Sequence, residues 1–170
     1  MADRKAIEIP AAGTRGAWNP MSGRLGRLAR PILNAQVSRY RKNAGDQTPR
    51  MMGFPIVLLT TVGARTGIER THVLGGFADG DDAWVVVASN AGAAAHPQWF
   101  VNLARNPDKV TLEVGRRKMH VRPQLLKGQE REQALARIAA VAPRYGHYQG
   151  KTDREIPVVR LTAEQAPPTS

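Results

Sequence analysis

Ile56-Val57-Leu58-Leu59-Thr60-Thr61, then Gly63-Ala64-Arg65-Thr66-Gly67, then Arg70 to Phe77, follow one another closely in the chain. The first run is apolar and β-branched and short enough for a buried strand; the glycines make a loop; the third run returns as the next strand. The same texture continues outward. Asp79-Gly80-Asp81-Asp82 is a polar turn, Trp84 to Ala88 another apolar strand, and Ser89 to Ala95 a loop of small residues. Pro97 to Arg105 reads as a helix with Trp99, Phe100 and Leu103 on one side, stopped by Asn106-Pro107. Val110, Leu112 and Val114 alternate with polar residues, as do Met119 and Val121, and the Gly115-Arg116-Arg117 corner joins them as a hairpin. Gln129 to Val141 is a second helix through Leu135 and Ile138, and Pro157 to Leu161 a last strand.

Upstream of the strands, Leu28, Ile32, Gln36 and Tyr40 share one helical stripe, with Leu33 and Val37 beside it. Pro31 suits only the first turn of a helix, so the helix is expected from Pro31 to just before Gly45. Mostly strands with about three helices predicts an α+β protein with a closed or sandwiched antiparallel sheet and helices at its ends. The expected organisation is an irregular basic arm over 1–30, a single domain over 31–162, and a disordered tail over 163–170.

The 170 residues suffice for one core without disulfides. The absence of cysteine excludes thiolate nucleophiles and Cys-ligated metals, and no His/carboxylate cluster of metal-ligand type stands out, so no metal is expected. No apolar run approaches the ~20 residues of a membrane span, and no export signal is read at the start, so a cytoplasmic protein is expected. The net charge of +11 is uneven: residues 1–50 hold ten Lys/Arg against three acids, and none of those acids lies between Glu8 and Asp46. Such a field draws polyanions: nucleic acid, an anionic lipid surface or an acidic cofactor tail. A basic amphipathic helix on a membrane, or a helix packed on the sheet with its arginines in water, both fit residues 31–44.

Three loops could carry chemistry. In Gly63 to Arg70 the glycines expose backbone donors and Arg65 and Arg70 can clamp phosphate or carboxylate; a hairpin turn with surface arginines reads the same way. In Ser89-Asn90-Ala91-Gly92-Ala93-Ala94-Ala95-His96-Pro97-Gln98-Trp99 the small residues make a thin wall for a flat ring, with Ser89 and Asn90 able to bond its polar edge. There His96 as a helix cap and Trp99 as core are the plain alternatives. In Tyr145-Gly146-His147-Tyr148, an irregular stretch by pattern, the tyrosines could line a pocket mouth and donate a proton, or merely pin a loop.

Together the three segments resemble a known family. Leu59-Thr60-Thr61-Val62-Gly63-Ala64-Arg65-Thr66-Gly67 with Arg70 is similar to a strand and Gly-Arg-basic-Ser/Thr-Gly loop. Ala88-Ser89-Asn90-Ala91-Gly92, His96-Pro97-Gln98-Trp99-Phe100, Asn102-Leu103 and Asn106-Pro107 match a second signature. Tyr145, Tyr148, Thr152-Asp153-Arg154 and Ile156-Pro157 match a third. In that order they resemble the deazaflavin-dependent nitroreductases, over roughly residues 55–162.

The resemblance implies a split β-barrel of the FMN-binding kind. It implies the cofactor coenzyme F420, an 8-hydroxy-5-deazaflavin with a phosphodiester and glutamates in its tail. It further implies hydride transfer from C5 to an organic acceptor: a quinone, an enone or a nitroaromatic. Cofactor-binding residues carried over are Gly63, Arg65, Thr66, Gly67, Arg70, Ala88, Ser89, Asn90, Ala91, Gly92, His96 and Trp99. Tyr145 and Tyr148 border the acceptor pocket as candidate catalytic groups. Departures from the family pattern are Ala64 for Arg, Val73 for a frequent proline, and Gly75-Gly76 for bulky residues, which implies a wider acceptor pocket. The partners expected are a small-molecule acceptor and, through the basic arm, an anionic membrane at its inner face, with no nucleic acid. The alternative function is a non-catalytic carrier of F420 or flavin on the same barrel.

Overall fold

The computed structural model describes residues 6–19 and 28–165. Arg24 and Arg27 of the expected basic arm, and the end of the tail from residue 166, lie outside the described residues. Helix α1 spans Arg30–Asn43. It is followed by strands β1 (Arg50–Met51), β2 (Phe54–Val62), β3 (Glu69–Gly75), β4 (Phe77–Ala78) and β5 (Ala83–Val87). Helix α2 (Gln98–Arg105), strands β6 (Thr111–Val114) and β7 (Arg117–Leu125), helices α3 (Gly128–Val141) and α4 (Arg144–Tyr148) and strand β8 (Val158–Ala163) complete the order.

The strands form one curled antiparallel sheet in the order β1-β2-β6-β7-β8-β5-β4, with β3 paired to the other side of β2. This is the split barrel with flanking helices. Both faces of β2 are buried, which is why its sequence is continuously apolar rather than alternating. Val57 and Leu59 enter a core with Trp84, Val86, Phe100, Leu103, Leu112 and Val159. Ile56 and Leu58 point the other way, into a second core with Phe77, Val85, Val158 and the buried faces of α1 and α3. The two-residue alternation of a strand therefore serves both cores at once.

Three boundaries differ from the sequence expectation. The first is the buried stripe of α1, which is Ala29, Val37 and Tyr40 with Leu33 partly covered, while Leu28 and Ile32 are exposed. Tyr40 decides the rotation: its hydroxyl donates to the Glu113 carbonyl at 3.2 Å and accepts from the Gly115 N–H at 3.0 Å, and Arg41 pairs with the Glu113 carboxylate at 2.8 Å. The second is the Tyr145 segment, which is not irregular: it is the short helix α4, a fourth helix closed by a 3-10 turn at Gln149–Lys151. The third is the last strand, which runs to Ala163, past the boundary expected for the tail.

Residues 6–19 have no regular secondary structure, as expected, yet they form an ordered strap. Ile7 donates to the Ala104 carbonyl, Gly13 to Ala94 and Ala17 to Gly92, each at 2.9 Å. Asp153 accepts from the Thr14 N–H at 2.9 Å, the Thr14 hydroxyl at 2.5 Å and the Arg15 N–H at 2.9 Å. These bonds hold its carboxyl well below the usual range, at about 2, with the Thr14 hydroxyl the largest cause. A Cβ at Gly16 would stand 2.1 Å from the Ala94 nitrogen, so only glycine lets the strap lie this close.

Candidate active site

An open cleft of about 1600 Å³ runs between α1, β3, the Ser89–Ala95 loop, α2 and α4. The three sequence-predicted segments meet in it. Of the expected residues, Gly63, Arg65, Thr66, Arg70, Ser89, Asn90, Ala91, His96, Trp99, Tyr145 and Tyr148 line the cleft. Gly67, Ala88 and Gly92 do not: Gly67 closes the turn with a left-handed φ of 66°, Ala88 is fully buried behind the wall, and Gly92 is packed against Lys151.

One end of the cleft is basic. The Gly63–Gly67 loop is closed by the Gly67 N–H donating to the Gly63 carbonyl at 2.9 Å. It is clamped from α2, where the Asn102 side-chain oxygen accepts from the Ala64 N–H and from the Gln98 side chain, both at 3.1 Å. Arg65 and Arg70 leave this loop and its following strand, and Arg105 joins them from the last turn of α2. None of the three has a carboxylate within ion-pairing distance among the described residues. Gln98 and Asn102 stand in the second signature without a role there, and Arg105 lies outside it, although their spacing of three to four residues is that of one helix face. His72 also lines the cleft. Burial, and then the Arg70 charge, push it below the ordinary histidine value.

The middle of the cleft is the wall of small residues. Asn90, Ala91 and Gly92 take successive positive φ values of 45°, 54° and 81°. For the two non-glycine residues such a conformation costs on the order of 1–3 kcal/mol each and persists only where its surroundings hold it. The holder is Arg154, only 2% exposed. Its guanidinium donates to the carbonyls of Ala93 at 2.8 Å, Ala88 at 3.1 Å and Ser89 at 2.8 Å, and to His96 Nδ1 at 3.1 Å. Because arginine only donates, His96 Nδ1 accepts, and the Nε2–H donates to the Pro10 carbonyl of the strap at 2.8 Å. Burial, with the Arg154 charge adding to it, holds His96 below the ordinary value and hence neutral. His96 is thus neither a helix cap nor free for a ligand through its nitrogens.

Asn90 is similarly spoken for. Its side-chain oxygen accepts from Asn19 at 2.7 Å and its amide donates to the Ala95 carbonyl at 2.9 Å. Each polar atom of this side chain thus makes one bond that holds the loop. Among the described residues, what remains without partners here is backbone. The N–H groups of Ser89, Asn90 and Ala91 have no partner among the described residues, in the right-to-left-handed backbone sequence that makes a concave donor site. Trp99, 5% exposed, braces the wall from the core side, edge-on to Phe100.

The other end is aromatic. Phe54, Phe77 and Tyr148 pack edge-to-face around Tyr145, with centroids 5.4–5.8 Å from it. Burial is the chief cause that pushes the Tyr145 hydroxyl up to about 12, so it stays a protonated donor at neutral pH. The glycines do not open this end as expected. A Cβ on Gly75 would lie 2.4 Å from the Tyr145 hydroxyl oxygen, and one on Gly76 would lie 2.5 Å from Val57 Cγ1. The space left by Gly75 is filled by Tyr145 itself.

Residues 32–163 match the family model described as F420H(2)-dependent quinone reductase. A Mycobacterium tuberculosis protein named F420H(2)-dependent quinone reductase is 39% identical over 137 residues, covering 77% of this chain and 89% of the relative. A solved structure described as an F420-H2 dependent reductase is 34% identical with a TM-score of 0.58, covering 66% of this chain and 98% of that one. A second, described as a domain-swapped dimer, is 32% identical with a TM-score of 0.59, covering 75% and 95%. A barrel with one basic and one tyrosine-lined end to its cleft, matched over most of its length, belongs to the F420H2-dependent quinone reductase family of oxidoreductases.

Proposed function

We propose that the protein uses reduced F420 to reduce a quinone to its hydroquinone within this cleft. The observation that carries the reading is the order of chemistry along the cleft: three arginines unpaired among the described residues, then a wall of backbone N–H groups without partners among them, then two tyrosines. The residues fit the cofactor. An anionic phosphodiester and carboxylate tail suits Arg65, Arg70 and Arg105, and a flat ring with carbonyl acceptors suits the Ser89–Ala91 donors. Bound there, the reduced deazaflavin supplies a hydride from its C5.

The chain's own contribution is placement and charge. Arg65 and Arg70 anchor the tail, so the ring's position is fixed by a distant contact. Arg154 keeps the ring wall in its left-handed form. Tyr145 and Tyr148 hold a carbonyl oxygen of the acceptor, and a protonated tyrosine at that oxygen supplies the proton that accompanies the hydride, to be replaced from solvent. The family's reductase chemistry favours this reading over a carrier on the same barrel.

The test is a titration with oxidised F420, FMN and FAD, followed by quinone turnover with reduced F420. F420 should bind tightest, because each charge-assisted tail contact contributes roughly 1.5–3 kcal/mol. Arg70→Ala should weaken it about tenfold or more, and Arg65→Ala somewhat less. FMN binding as tight as F420 would sink the cofactor assignment.

We also propose a cytoplasmic protein that touches the anionic inner face of the membrane. Trp18, Leu28 and Ile32 are 82%, 78% and 62% exposed and are interspersed along the sequence with Arg15, Arg30 and Arg39. Among the described residues no helix is long and apolar enough to cross a membrane. Co-sedimentation with phosphatidylglycerol vesicles but not phosphatidylcholine vesicles supports the contact, and Trp18→Ser with Ile32→Ser should weaken it. Equal recovery in both pellets, or none in either, rejects it.

A further inference from the structure

The aromatic end of the cleft is bracketed by two cations. Arg144, on the first turn of α4, places its guanidinium 5.7 Å from the Phe54 ring centre and lines the cleft. Phe54 meets Tyr145 edge-on at 5.8 Å, and Tyr145 meets Tyr148 edge-on at 5.5 Å. Beyond Tyr148 stands the Lys151 ammonium, 5.6 Å from that ring's centre. The result is a continuous row of rings, Phe54, Tyr145 and Tyr148, with a positive charge at each end.

Neither cation has a carboxylate within ion-pairing distance among the described residues. Each is held by a ring face, a contact that fixes position while leaving the charge unneutralised. The Arg144 charge is felt at the pocket, since it opposes the upward push of burial on the Tyr145 hydroxyl. Among the described residues lining the cleft Glu69 alone is acidic, and it sits at the start of β3, beside Arg70 and six residues from Gly75, which meets Tyr145. A neutral acceptor has no use for two unneutralised cations beside the tyrosines that orient it.

We propose that Arg144 and Lys151 select acceptors bearing an anionic substituent, a carboxylate, sulfonate or ionised hydroxyl on the quinone ring. The inference rests on the quinone-reductase reading above and narrows its substrate class. Arg144 is the primary contact because it lines the cleft; Lys151 adds long-range attraction. Both are specificity residues and take no part in hydride or proton movement.

The experiment compares 1,4-naphthoquinone with its 2-sulfonate, by kcat/KM with reduced F420. A second readout needs no turnover: equilibrium dialysis of naphthalene-2-sulfonate against the protein holding oxidised F420. The sulfonated quinone should be preferred, and more so at low salt. Arg144→Gln and Lys151→Gln should each lower the sulfonate-to-neutral ratio of kcat/KM about threefold to fivefold, the range of an exposed ion pair. Naphthalene-2-sulfonate binding should weaken in parallel, Arg144→Lys should keep most of the preference, and the Kd of F420 should not change. Equal slowing of both quinones, an unchanged ratio, or a loss of F420 affinity in Arg144→Gln overturns the proposal; the last would mean that these cations hold the cofactor tail. Failure of the wild-type protein to reduce either quinone refutes the underlying reading, and is told apart because naphthalene-2-sulfonate binding is measured without turnover.

Discussion

At the scale of the residue, Gly75 shows how one missing side chain is used twice. It ends β3 without steric conflict, and it leaves the volume that the Tyr145 hydroxyl occupies. Gly75→Ala should therefore destabilise the protein and slow quinone turnover by displacing Tyr145. If the clash is the cause, removing the hydroxyl relieves it. The double variant Gly75→Ala with Tyr145→Phe should be more stable than the sum of the two single changes, by roughly 0.5–3 kcal/mol in a double-mutant cycle from denaturant unfolding. Strict additivity would show that Tyr145 does not depend on Gly75. The role of this glycine was not legible in the sequence. Pattern places residue 75 on a strand and nothing more, whereas the tyrosine that fills its space comes from 70 positions downstream.

At the scale of the element, local patterns were read well and distant docking was not. The β6–β7 hairpin and helix α2 follow from alternation and stop signals within a few residues, and the structure has them as expected. The stripe of α1 was misassigned because Leu28 with Ile32 and Leu33 with Val37 have the same helical spacing; only the pairing of Tyr40 with the β6–β7 corner settles the rotation. Helix α4 was missed because a glycine interrupts five residues with no apolar period, and its stability comes from packing Tyr145 and Tyr148. The strap was invisible because its bonds, many of them made by backbone atoms, reach segments about 70 to 140 residues away. It nevertheless supports the ring wall. Gly16→Ala should lift the strap, seen as faster proteolysis within residues 6–19 and weaker F420 binding. Arg154→Ala should do more, since it strands three wall carbonyls, and Arg154→Lys should not rescue it, because an ammonium cannot reproduce the fork. Unchanged F420 affinity in both alanine variants would separate the strap from the site.

At the scale of the whole molecule, charge was the most legible property and its distribution the least. The net charge of +11 announces an anionic partner. The fold divides that charge among the arginine-lined end of the cleft, its aromatic end and structural roles such as Arg131. The Arg131 guanidinium is buried and holds the Ile156 carbonyl at 2.9 Å and the Gln149 side chain at 2.8 Å. Only cations left unpaired contribute to ligand attraction. F420 affinity should accordingly fall steeply as salt rises, and Arg70→Ala should flatten that slope as well as lower the affinity. A slope identical in wild type and variant would place the tail elsewhere.

The latch of Asp153 on Thr14 and Arg15, with the neighbouring Arg154 on the Ser89–Ala95 loop, has a consequence for how the protein is made. The ring wall at Ser89–Ala95 leaves the ribosome long before Arg154 does, and until then its left-handed turn has no guanidinium to hold it. Thr14 and Arg15 must likewise wait for their partner until Asp153 has been made. A nascent chain arrested before residue 153 emerges should have its early strands paired and yet be unable to retain the cofactor. Cofactor retention should therefore await the emergence of the Asp153–Arg154 segment.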